Sequence, residues 1–143
     1  MEVQKRKQIR LANYDYSLLG GYYVTICTYD RKKILSQIVC RNEADPPTVK
    51  LSELGLIVNA VLREMSLTRY LRPEKWVIMP DHIHILVVKD SVSQETLGQF
   101  VAAFKSIVSN RWLSACKSKG IEMGKLWQRG YYDHVLRNEA DYV

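Results

Sequence analysis

The sequence is short of the features that mark several protein classes. Its 143 residues include only three cysteines, Cys27, Cys40 and Cys116. Odd in number and widely spaced, they argue against a disulfide framework or a zinc knuckle and read as reduced thiols of a cytoplasmic protein. No apolar run approaches the roughly 18 residues a membrane-spanning helix needs, so no membrane association is expected. The N-terminal MEVQKRKQIR is basic with no apolar stretch behind it, and no secretory leader is expected. Repeats, low-complexity tracts and Pro/Gly/Ser linkers are also missing. Residues 1–143 are therefore expected to form one domain, and that length suffices for one substantial core.

What is present is globular in character, with 47% hydrophobic residues, which argues against a disordered chain. Lys and Arg number 21 against 15 Asp and Glu, a formal charge of +6. Basic residues cluster at Lys5, Arg6, Lys7 and Arg10, at Arg31, Lys32 and Lys33, and at Lys105, Arg111, Lys117, Lys119 and Lys125. Such a balance suits a polyanionic partner, and it equally suits a solubilising surface. Charge alone does not choose between them.

Periodicity divides the chain into alternating elements. Gly21 to Tyr29 is rich in β-branched and aromatic residues after a Gly20-Gly21 break and reads as a strand. Thr48 to Leu51 reads as a short edge strand. From Ser52, a candidate N-cap, the positions Leu54, Ile57, Val58, Val61, Leu62 and Met65 recur at helical spacing, and Pro73 closes that unit. Lys75–Met79 and His82–Lys89 read as antiparallel strands joined at Pro80-Asp81. Ser93 to Lys117 carries Leu97, Phe100, Val101, Phe104, Ile107 and Val108 on one helical stripe. Tyr131–Arg137 reads as a last strand, and Asn138–Val143 as the opening of a helix. The order β-α-β-β-α-β predicts an α+β, ferredoxin-like split βαβ fold, an antiparallel sheet with two main helices packed on one face.

The chain has three histidines, His82, His84 and His134. The first two stand at i and i+2 on a predicted strand, so their rings leave the same face about 7 Å apart. That spacing lets two imidazoles converge on one cation, although satisfied surface histidines would look the same. Imidazole suits zinc, manganese, iron or nickel, while magnesium prefers oxygen, and a third ligand is needed for Lewis-acid chemistry. His134 is a candidate accessory group if its strand lies beside that of the pair. Asp81 is a candidate acceptor that orients an imidazole, or simply a turn residue.

Met79-Pro80-Asp81-His82-Ile83-His84-Ile85-Leu86-Val87 resembles the His-hydrophobic-His (HUH) motif of single-tyrosine bacterial insertion-sequence transposases, and most closely the REP-associated tyrosine transposase branch. Arg10-Leu-Ala-Asn-Tyr-Asp-Tyr16 with Gly21-Tyr-Tyr-Val-Thr-Ile-Cys27 is similar to that branch's N-terminal segment. The run from Leu126 to Glu139 resembles its tryptophan-glutamine-arginine block. The resemblance implies a DNA transposase that acts on single-stranded or hairpin ends, with His82 and His84 as catalytic metal ligands for Mg²⁺ or Mn²⁺. It also implies a tyrosine nucleophile on a later helix, which forms a 5′-phosphotyrosine and leaves a 3′-hydroxyl. A metal-activated phosphate lowers the demand on a weakly nucleophilic phenol. Projected from Trp127, that tyrosine falls a few residues past Val143. The 143 residues are therefore expected to lack the tyrosine-bearing helix, and whether they cleave DNA by themselves stays open. Tyr142 is not expected to substitute, because its offset is not a whole number of helical turns.

Candidate DNA contacts are Lys105, Arg129 and Arg137 to phosphates, and Trp127 and Gln128 to a base. For Trp127 a place in the core is the competing reading. Related transposases include dimers, so a homodimer is allowed. Two other functions compete: a non-catalytic DNA-binding remnant or repressor derived from such a transposase, and a His-x-His phosphoesterase. Leu86 stands where a histidine-triad hydrolase would need a further histidine.

Overall fold

A computed structural model describes residues 20–89 and 94–136 of the chain. Arg137, Tyr142, the expected helix opening at 138–143 and the N-terminal block at 10–16 lie outside the described residues. The elements run β1 (Gly21–Cys27), a 3₁₀ turn (Tyr29–Arg31), β2 (Ser36–Val39), β3 (Thr48–Leu51), α1 (Glu53–Thr68), β4 (Leu71–Ile78), β5 (His82–Lys89), α2 (Leu97–Lys119) and β6 (Tyr132–Leu136). The main sheet has the order β4-β5-β1-β6, with every neighbouring pair antiparallel. Around it β1-α1-β4-β5-α2-β6 reproduces the expected split βαβ.

Alternation within the strands decides which face is covered. Tyr22, Val24 and Ile26 of β1 and Ile83, Ile85 and Val87 of β5 are fully buried. They share one cluster with Leu54, Val58, Val61, Leu62 and Met65 of α1 and Leu97, Phe100, Val101, Phe104 and Val108 of α2. Both helices therefore cover one face, where each such large side chain contributes roughly 1.5–3 kcal/mol by leaving water. The residues between them, Tyr23 and Thr25 on β1 and His82, His84 and Leu86 on β5, point to the opposite face and stay partly accessible.

Helix starts and stops follow local chemistry. Ser52 caps α1, its Oγ accepting from Gly55 N–H at 3.0 Å. Gly55 is required by close approach: a Cβ there would stand 2.1 Å from the backbone oxygen of Leu35. Thr96 and Gln99 form a reciprocal capping box on α2, and Gly120 ends that helix with a left-handed φ of 68°.

Three boundaries differ from expectation. Thr48–Leu51 is not an edge of the main sheet; it pairs with Ser36–Val39, a strand too short and mixed to signal itself, in a separate hairpin. Pro73 does not close the preceding unit, because β4 starts at Leu71 and runs through it. A register shift between Pro73 and Lys75 accommodates the ring, and β4 is an edge strand, where a missing N–H is tolerated. Finally, α2 starts at Leu97 rather than Ser93, because the Thr96 cap fixes the first turn there.

Candidate metal centre on the open face of the sheet

His82 and His84 project from β5 onto the face the helices leave uncovered, and their rings meet. Their centroids are 4.7 Å apart at an interplanar angle of 74°, and the two Nε2 atoms are separated by 3.2 Å. Each ring is held from behind at Nδ1. Asp81 Oδ1 lies 2.7 Å from His82 Nδ1. An ionised carboxylate only accepts, so His82 Nδ1 donates, and in the neutral ring Nε2 carries the lone pair. Thr25, directly across from His84 in the β1–β5 register, places Oγ1 3.1 Å from His84 Nδ1. A hydroxyl can donate or accept. When it donates to His84 Nδ1, His84 Nε2–H donates to His82 Nε2. When it accepts from His84 Nδ1–H, both Nε2 lone pairs are free to face a cation. Tyr23 stacks on His84 at 5.6 Å with planes within 9°, which fixes the ring's tilt.

Asp81 is itself positioned. Arg31 Nε donates to Asp81 Oδ2 at 3.2 Å. Asp30 and Arg31 are left-handed, with φ of 57° and 49°, a conformation that costs a side-chain-bearing residue roughly 1–2 kcal/mol. Thr28, fully buried, holds this turn against the histidine strand: its Oγ1 donates to Lys32 O at 2.8 Å, and its N–H donates to Asp81 O at 3.0 Å. The hydrogen bond from His82, seconded by Arg31, holds the Asp81 carboxyl below its usual range. Burial, then the neighbouring His82, pushes His84 below the usual imidazole value, which favours the neutral, ligating form.

The donor set fits a divalent cation. Nitrogens bound to one ion at about 2.0–2.1 Å lie about 2.9 Å apart at a right angle and about 3.3 Å at a tetrahedral angle, and the observed separation falls between the two. Among the described residues no set of three His, Cys, Asp or Glu side chains converges here. His134 does not join the pair. It lies on the same face, but β1 stands between its strand and β5, and its cross-strand neighbour is Tyr23.

The remaining expected DNA contacts divide. Lys105 is not a free phosphate ligand: Nζ donates to Gln128 O at 2.9 Å and Gly130 O at 2.7 Å, and burial lowers its pKa. Trp127 is no exposed stacking platform. Its ring lies 5.6 Å from Phe104 in the core, with 8% of the residue exposed. Gln128 is half-buried, its N–H donating to Cys27 O and its Nε2 to Tyr132 OH at 3.5 Å. Arg129 is exposed, with no carboxylate partner among the described residues. Thr25, Tyr23 and Arg31 had no assigned part in the sequence reading. Only the strand register brings the first two to the pair, and only a left-handed turn brings the third to Asp81.

A helix-backed antiparallel sheet with a histidine pair on its bare face has the architecture of a transposase domain. Residues 19–140 match the family model described as transposase IS200 like, and the chain belongs to that family. An uncharacterised protein of Haemophilus influenzae is 26% identical over 162 residues, taking in 99% of this chain and 84% of that protein. The structure of a REP-associated tyrosine transposase bound to a REP hairpin is similar with a TM-score of 0.55 at 14% identity. That likeness covers 94% of this chain, which spans 66% of the other. A crystal structure of a Deinococcus radiodurans R1 protein assigned as a transposase gives a TM-score of 0.60 at 20% identity, covering 94% and 91% of the two chains. At these identities the likeness is one of fold. Among the described residues no helix is long and apolar enough to cross a membrane.

Proposed function

We propose that residues 1–143 form one transposase domain that holds single-stranded or hairpin DNA ends, with the scissile phosphate over His82 and His84. The observation that carries this reading is the pair of Nε2 atoms 3.2 Å apart on the open sheet face, each ring held from behind by a separate partner. Family membership supports DNA as the partner, and the metal dependence general to His-hydrophobic-His transposases supports a divalent ion, Mg²⁺ or Mn²⁺, at the pair.

Such an ion would supply Lewis-acid polarisation of the phosphate. The chain's own residues prepare the place. Asp81 fixes the His82 tautomer and Thr25 adapts its hydroxyl to His84. Tyr23 restrains the second ring, and Arg31 holds Asp81 with a positive charge beside the DNA path. Tyr132, paired with Thr25, and Gln128, bonded to Tyr132, border the same face and would hold the strand, with the exposed Arg129 next to Gln128 in sequence as a further phosphate contact. Strand transfer would proceed through a phosphotyrosine, which conserves the phosphodiester energy, with a tyrosine as the nucleophile.

The test is incubation of the protein with a hairpin oligonucleotide and Mn²⁺, with binding followed by anisotropy and any protein–DNA adduct trapped on a denaturing gel. Hairpin binding that Mn²⁺ strengthens, with the Mn²⁺ effect lost in His82→Ala, is the expected result, and in a form of the protein that carries the tyrosine a metal-dependent adduct accompanies it. Hairpin binding indifferent to Mn²⁺ and to His82→Ala would favour the non-catalytic DNA-binding reading. Failure to bind DNA at all would overturn both.

A further inference from the structure

Lys33 and the hairpin β2–β3 take no part in the histidine site, yet they line a recess beside it. Lys33, Ile34, Ile38, Lys50, Leu51 and Pro80 are among the residues lining a cavity of about 510 Å³. Its apolar residues are Ile34, Ile38, Leu51 and Pro80. Ile38 and Ile34 are 51% and 36% exposed, which is costly for aliphatic side chains that meet only water. Lys33 and Lys50 bring the positive charge. Neither has a carboxylate partner among the described residues, and no Asp or Glu lines the recess.

The recess shares a wall with the metal-binding turn. Pro80 stands one residue before Asp81 and two before His82, and its carbonyl accepts from Leu35 N–H at 3.0 Å. Ser36 Oγ donates to Ile78 O at 3.0 Å, fastening the hairpin to the end of β4. These two bonds fasten the hairpin beside the turn that carries the pair.

We propose that this recess is a second DNA subsite, which takes an unpaired nucleotide of the strand flanking the phosphate held at His82 and His84. This rests on the DNA reading above. The lysine amines would neutralise the backbone phosphates on either side, and the aliphatic floor would cover a sugar or base face. A cavity of this volume has the size of a small-molecule site, which admits a nucleotide but not a duplex. The absence of carboxylates among its lining residues favours a polyanion over a basic or neutral peptide.

The test compares wild type with Lys33→Gln/Lys50→Gln, both exposed positions whose change leaves the core intact. The probes are oligothymidylate, a blunt hairpin, and the same hairpin with single-stranded flanks, each measured by fluorescence anisotropy over a salt series. Two lost contacts to single-stranded phosphates lower the salt slope by about 1.4, which weakens binding roughly 25-fold at about 0.1 M salt. That loss is expected for oligothymidylate and the flanked hairpin, with binding of the blunt hairpin and of Mn²⁺ unchanged. Equal loss for the blunt and flanked hairpins would overturn the subsite, as would no loss for either. A changed sedimentation coefficient with unchanged DNA binding would assign the recess to a second copy of the chain and also overturn it. If wild type binds none of the probes, the DNA reading itself fails; if it binds and the double variant matches it, only the subsite fails.

Discussion

Replacing Lys105 with methionine isolates one buried cation that tethers the segment after α2. Its ammonium donates to the carbonyls of Gln128 and Gly130 at 2.9 and 2.7 Å. Charge-assisted hydrogen bonds contribute about 1.5–3 kcal/mol each, so the pair is worth about 3–6 kcal/mol before the cost of burying the ammonium is counted. That cost is real, because burial lowers the lysine's pKa, and it offsets part of the gain. Methionine refills most of the volume but leaves two carbonyls without this donor. A net loss of about 2 kcal/mol is expected at neutral pH, or roughly 6–8 °C in Tm for a chain of this size. Urea unfolding followed by tryptophan fluorescence is the assay, since Trp127 sits beside Phe104 at the head of the tethered segment.

The same variant makes a signed prediction about pH. With the folded-state pKa of Lys105 depressed below its ordinary value of 10.5, the unfolded chain binds more protons between the two values. Stability attributable to this group therefore rises with pH through that window. A neutral amine keeps two N–H bonds, enough for both carbonyls. Cys27, whose thiol burial pushes up from 9.0, acts in the opposite direction as pH rises past 9.0. The informative quantity is accordingly the difference between wild type and Lys105→Met, which should widen toward pH 10. A variant within about 0.5 kcal/mol of wild type at pH 7, or a difference that narrows as pH rises, would refute the tether.

Asp81→Asn should weaken Mn²⁺ binding by about 10–100-fold, or about 1.4–2.8 kcal/mol, because the group fixing the His82 tautomer loses its charge. Titration by electron paramagnetic resonance measures it, and unchanged affinity would mean that His82 is not a ligand through Nε2. Thr25→Val removes the hydroxyl behind His84 at constant shape and should weaken Mn²⁺ binding, while Thr25→Ser should retain it. Mn²⁺ affinity should fall as pH drops, since protons compete with the ion for imidazole nitrogen. For His84 the loss should begin below the ordinary imidazole value of 6.5, because burial, aided by His82, depresses its pKa. Gly55→Ala gains about 1 kcal/mol of helix propensity but sets a Cβ 2.1 Å from Leu35 O; a net loss above about 3 kcal/mol in urea unfolding is expected.

The covered face of the sheet was legible in the sequence because burial there is dictated by period. The stripes on both helices and the alternation around Ile83 and Ile85 all point inward as predicted. The hairpin at β2 was not legible: Ser-Gln-Ile-Val has no clean alternation, and its partner strand is exposed on three of four residues. The backbone partners of Lys105 were hidden for a related reason. Periodicity placed it off the apolar stripe, and an off-stripe lysine near the helix middle looks solvated until the chain folds back over it. Trp127 went to the core because Thr28 bridges to it, an antiparallel contact that extends β1 by one residue and turns the indole toward Phe104.

Within the site, local and non-local information separate cleanly. Asp81, His82 and His84 are neighbours in sequence, so strand alternation alone predicts that the rings share a face and that a carboxylate stands beside one of them. Which element supports the other ring depends on sheet order. His134 was a candidate only if β6 adjoined β5, but the order β4-β5-β1-β6 interposes β1 and delivers Thr25 and Tyr23 instead. That substitution matters chemically. A third imidazole would have added a fixed ligand, whereas a threonine hydroxyl adds a group that reverses its hydrogen-bonding sense. Reversal lets one pair of rings be satisfied both with a proton between the Nε2 atoms and with a cation there, so neither state leaves a buried polar atom unpaired.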